Sequence, residues 1–234
     1  MHTHEIGRIL TYDYLLLVPL VAVIFNIFLI ANKKWTELLI FNLAGVLNLA
    51  AEGMMILNGT RNFDTGNPLL IAAASACLAW VTNGFVFTVA YIDVKQWLKK
   101  AYPARFVIAA NIILFAGLPL GMFHWGILDG AVFTWRVMGD TVKYVEPIAF
   151  VILAAVIFFT GYKNLLWRLL LIGFLLDLHF EAGLFIFGVR PPGQFDLITV
   201  GSRVLFEMNC FFMLFFLIVK AIFKLDGYRD ANLE

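Results

Sequence analysis

The chain has 234 residues, of which 62% are hydrophobic, 16% aromatic and only 14% charged, and its mean hydropathy is +0.88. This composition excludes an ordinary soluble domain and marks an integral membrane protein. A formal net charge of +1, with no dense basic stretch, gives no nucleic-acid partner.

A helix rising about 1.5 Å per residue crosses a hydrocarbon core of about 30 Å in about 20 mainly apolar residues. Seven stretches meet that requirement, at about 14–31, 37–57, 68–92, 104–126, 143–162, 164–188 and 203–223. The opening segment MHTHEIGRILTYDY sets Arg8 against Glu5 and Asp13, and no small-residue cleavage site follows its apolar run. It does not resemble a cleaved signal peptide, so the first helix is expected to stay. The links are short, and no period of about 20 to 50 residues repeats. The expected architecture is therefore all-α: one domain over 1–234, a seven-transmembrane-helix bundle, multi-pass in a bacterial inner membrane or the endoplasmic reticulum.

Basic residues orient the bundle. Lys33, Lys34, Lys95, Lys99, Lys100, Arg105, Lys163, Arg168, Lys220, Lys224 and Arg229 fall on one side, eleven against the six of the other, Arg8, Arg61, Arg136, Lys143, Arg190 and Arg203. The positive-inside rule then makes the C-terminus cytoplasmic and puts the N-terminus outside. Cys77 and Cys210 lie in apolar segments and read as small buried hydrophobes.

A charged side chain at the centre of a span costs about 3 kcal/mol on insertion scales, so each one needs a compensating reason. Glu52, in NLAAEGMM, sits five residues before the outer end of the second span, about 8 Å in at helical rise. Glu207 lies at a similar depth in the seventh span, Asp177, His179 and Glu181 in the outer half of the sixth, Glu146 before Pro147 at the start of the fifth, and His124 near the outer end of the fourth. Asn48 and Glu52 are i, i+4, with Gly45 a turn further down; Asp177 and Glu181, and Arg203 and Glu207, have the same spacing. These faces are expected to converge on one polar pocket open toward the outer leaflet. Glu146 and Arg203 also lie close enough to a boundary to reach headgroups, and His179, opposite the Asp177 and Glu181 stripe, serves equally as a helix-packing hydrogen bonder. Glu52 stands out because no cation on its own helix lies within four residues.

Asn42, Asn48, Asn83, Asn111 and Asn209 need partners within the bundle. Trp80, Gly84, Phe87 and Tyr91 follow one another at i, i+4, i+7 and i+11, a stripe that either packs or lines a pocket with π-faces for a cation. Lys220 is three or four residues from the cytoplasmic end of its span, where it snorkels, so a retinal Schiff base is not expected. Haem held by His124 and His179 rests on two residues and no motif.

A carboxyl group in an apolar pocket keeps its proton near neutrality, and a second carboxyl close by supplies the complementary base. Glu52 with Glu207 or Asp177 is then an acid/base couple, and the same layer serves a proton relay in a transporter or channel.

The chain length, the seven helices and the element Asn48-Leu-Ala-Ala-Glu52 resemble the small integral-membrane terpene cyclases of the paxilline and fungal meroterpenoid type, which have bacterial members. That family's element reads approximately Asn-x-x-Trp-Glu, with a second acidic residue late in the chain; Ala51 stands here where Trp is usual. The resemblance implies that Glu52 protonates a terminal epoxide or alkene of a lipid-soluble polyprenyl substrate, with Glu207 as the late acidic partner. Asp177 or Glu181 tunes the acid or takes the final proton, while Asn48, Trp80, Asn83, Phe87 and His179 line the substrate site, the aromatic faces stabilising carbocations. No cofactor and no metal are expected: protonation needs no diphosphate motif of the DDxxD kind, and neither HExxH nor HxxxH occurs. The partners expected are the substrate and the bilayer. A proton-coupled transporter or channel, a seven-helix sensor and a metal hydrolase remain as alternatives.

Overall fold

The computed structural model of the protein describes residues 4–89, 91–92, 125–138, 140–186, 205–206 and 208–223. The first strand, β1 (His4–Thr11), passes directly into α1 (Tyr12–Ala31), because Thr11 is extended and its hydroxyl accepts from the Tyr14 amide at 3.2 Å. A tight turn with Lys33 at φ 54 reverses the chain into α2 (Trp35–Leu57). A second turn through Gly59, at φ +74, leads to the short strand β2 (Arg61–Phe63). Asn67 then caps α3 (Pro68–Leu78), its side chain accepting from Leu69 and proline occupying the first turn. A π-helical stretch, Ala79–Gly84, follows, and the helix continues through residue 89.

Beyond lie β3 (Ala131–Met138), α4 (Asp140–Ile157), a π-helical turn Phe158–Tyr162 with Gly161 at φ 89, α5 (Lys163–Ile186) and α6 (Met208–Phe223). Among the described residues three helices are long and apolar enough to cross a membrane: Tyr12–Ala31, Trp35–Leu57 and Val145–Tyr162. Large apolar side chains such as Leu20, Ile27, Val151 and Trp167 point outward, as they do where the surroundings are hydrocarbon. Inside, Phe25, Phe41 and Phe85 form an aromatic cluster with centroids 4.8 to 5.2 Å apart, joining α1, α2 and the helix after the π stretch. Glycine lets α2 approach the π-helical stretch, since a Cβ at Gly45 would stand 2.5 Å from the Trp80 ring.

The described chain is mostly helical, and it departs from an all-α fold in one respect: an antiparallel three-stranded sheet with order β1-β3-β2. β3 is rich in branched and aromatic residues (Val132, Phe133, Thr134, Trp135, Val137) and enters from Gly130 at φ +121, so it has the composition of a strand. As the central strand it pairs on both edges, Arg8 with Thr134 and both Ile6 and Arg61 with Arg136. Alternation along the strands puts Arg8, Arg61 and Arg136 on the same face as the buried Leu10 and Val132. The sheet adjoins the end of the bundle where α1 begins and α2 ends. The expected span at 104–126 lies outside the described residues except for Trp125 and Gly126, which are not helical.

Candidate functional site

Glu52 lies near the end of α2, and β2 begins four residues after that helix stops. The intervening turn folds Arg61 back over the helix. Its Nε donates to Glu52 Oε2 at 2.8 Å and its Nη2 to Oε1 at 2.9 Å, with the two side chains 8% and 7% exposed. This is a bidentate, charge-assisted pair shut away from solvent. No cation of its own helix lies within four residues of Glu52; the cation comes from the next element of the chain. In this arrangement both carboxyl oxygens accept hydrogen bonds from one guanidinium.

A second arginine of the sheet faces an acid of another helix. Arg8 Nη2 stands 3.6 Å from Glu181 Oε1 of α5, and these side chains are 7% and 2% exposed. Because Arg8 and Arg61 share a sheet face, two acids of the expected layer, from α2 and α5, meet cations carried by one sheet. Asp177 and His179 belong to α5, but their side chains lie outside the described residues, as do Glu207, Arg203 and His124. Glu146 is half-buried in α4, where its backbone carbonyl accepts from the Cys210 thiol of α6 at 3.4 Å.

The expected binding residues divide between two spaces. A cavity of about 210 Å³ opens between α2, the helix after the π stretch and α6, lined by Asn48, Ala51, Phe87, Phe211, Phe215 and neighbouring aliphatic side chains. Asn48 and Phe87 thus come together. Phe87 stacks on Phe215 at 4.4 Å and meets Phe212 edge-on at 5.0 Å. Trp80 borders a different cavity, of about 340 Å³, between α1, α2 and α3, and its indole donates to Asn42 at 3.4 Å. Asn83 is buried, and its Oδ1 has no hydrogen-bond partner among the described residues. Lys220 lies in the last turn of α6, with its ammonium 4.4 Å from the centroid of the Tyr162 ring.

Three residues that shape this region were not singled out from sequence: Arg61, Arg8 and Asp13. The buried Asp13 carboxylate, in the first turn of α1, accepts from the amides of Trp125 and Leu128, each at 2.7 Å, and of Ile127 at 3.4 Å. It pins the segment leading into β3. The signal available for the arginines was alternation: Ile6, Arg8 and Leu10 fall on one face of a strand.

No protein family, curated protein or solved structure matches the chain.

Proposed function

We propose that the protein is a seven-span membrane enzyme of the terpene-cyclase type, sheet outward and C-terminus cytoplasmic, which takes a polyprenyl lipid from the bilayer into the groove between α2 and α6. One observation carries the reading: the groove is apolar except for Asn48, and Phe87, Phe211 and Phe215 wall it with aromatic rings. Such rings present negative π-faces to a passing carbocation. Ala51 leaves open the space that the tryptophan usual in the resembling family would fill.

In this reading a carboxylic acid of the layer adds its proton to the terminal alkene or epoxide. Ring closure moves the positive charge along the chain, and a carboxylate removes the final proton, so no redox partner is needed. Glu52 takes the acid role only after exchanging Arg61 for a proton, which makes the bidentate pair a resting latch. By the same reading Asp177, Glu181 and Glu207 are the remaining acids, and Arg8 stands 3.6 Å from Glu181.

The test is to incubate membranes containing the protein with plain and epoxidised prenyl substrates and look for cyclised products. Ala51→Trp is expected to fill the groove and abolish turnover, and Glu52→Gln to lower it by about 100-fold or more, the usual worth of a general acid. If the folded protein gives no cyclised product while vesicles show a pH-dependent electrogenic flux, the acids serve proton-coupled transport instead.

A further inference from the structure

The cavity of about 340 Å³ between α1, α2 and α3 has no part in that reading, and it shares no lining residue with the α2–α6 groove. Small side chains, Ala22, Ala73 and Ala76, make its space. It follows α1 from Val18 to Asn26, about 12 Å at helical rise. No charged side chain lines it, and Pro19 and Val23 of its rim are exposed on the bundle surface.

Polar side chains stand at both ends, the Cys77 thiol at one and the Asn26 and Asn42 amides at the other, and the second has hydrogen-bonding capacity in reserve. At one end the Cys77 thiol lines the cavity and faces, at 3.9 Å, the Leu15 carbonyl behind it, to which Pro19 has no N–H to give. A thiol is a weak donor for so strong an acceptor. At the other end Asn42 uses both amide hydrogens, one on Asn26 Oδ1 at 2.8 Å and one on the Leu38 carbonyl at 2.9 Å. Asn26 donates once, to the Ala22 carbonyl at 2.9 Å, so its amide retains an N–H with no partner among the described residues.

We infer that this cavity is a binding site for a neutral, elongated lipid alcohol. The hydroxyl oxygen accepts from the spare N–H of Asn26, and the apolar body lies along Ala22, Ala73 and Ala76 toward Cys77. A charged ligand has no counter-ion here, and a pure hydrocarbon leaves the Asn26 N–H unserved.

The probe is decanol bearing a diazirine, compared with the same photoreactive chain carrying a methyl group in place of the hydroxyl. Each is irradiated with the full-length protein in lipid nanodiscs, and the labelled residues are mapped by mass spectrometry. The alcohol is expected to concentrate on residues 15–26 and 73–80, to be displaced by unlabelled decanol, and to exceed the hydrocarbon by about threefold to tenfold, the worth of one neutral hydrogen bond. Ala76→Phe, which fills the slot, removes the labelling. Equal labelling by the two probes, or alcohol spread over every lipid-facing residue, overturns the site, and the comparison on the unsubstituted protein holds whether or not Ala76→Phe folds. A negative result leaves the cyclase proposal standing, since prenyl turnover is measured on the other groove.

Discussion

At Glu52, burial and charge are reconciled by a single guanidinium whose Nε and Nη2 lie 2.8 and 2.9 Å from the two carboxyl oxygens. Removing one partner of a buried pair leaves the other uncompensated, which costs about 3 to 5 kcal/mol, whereas replacing both with apolar side chains is about neutral. Glu52→Gln and Arg61→Met should each lower the thermal midpoint of the protein in detergent, while Glu52→Met with Arg61→Met should recover most of the loss. Additive losses in the double variant would show that the two residues do not act as a pair. Gly45 is a purely steric case: a Cβ there meets the Trp80 ring at 2.5 Å. Gly45→Ala is therefore expected to cost about 1 to 3 kcal/mol, read by the same melt.

Among the elements, the π-helical stretch Ala79–Gly84 accounts for the divided aromatic stripe. In an unbroken α-helix Trp80 and Phe87, seven residues apart, would share a face. One residue more per turn rotates the remainder of the helix by about 100°, so Trp80 borders the α1–α3 cavity and Phe87 the α2–α6 groove. The register of a π stretch depends on packing and is not written in hydropathy. The sheet was more legible, because Val132 to Val137 has strand composition and Asp129-Gly130 precedes it. Its partners, however, both lie earlier in the chain, β2 more than 70 residues before it and β1 more than 100. Asp13 ties that segment to α1 through three amides. Hydrogen bonds to a charged group are worth about 1.5 to 3 kcal/mol, so Asp13→Ala should speed amide exchange at Trp125 and Leu128 while leaving the mid-helix amides of α2 protected. Unchanged exchange at those two positions would remove Asp13 from this role.

For the molecule as a whole, the sheet is fastened to the bundle by Arg61 on α2 and by Arg8 on α5. Two of the six basic residues counted on that side are therefore committed to buried acids. The remaining asymmetry of charge favours the orientation proposed, with the sheet outside. In a background lacking Cys77 and Cys210, a membrane-impermeant maleimide should label Asn62→Cys from the outer side and Lys33→Cys only after the membrane is opened. Labelling of both from the same side would refute the topology.

Sequence alone determined the membrane class, the mostly helical chain and the positions of the three described spans, because hydrocarbon imposes its requirement residue by residue along a single helix. It also picked out Glu52 and Glu181 as charges inside apolar helices. Only the tertiary structure decided what those acids face. The ion pair at Glu52 depends on a turn that reverses the chain, the one at Glu181 on a strand more than 170 residues earlier in sequence, and each is a contact between elements that no periodicity within one element encodes.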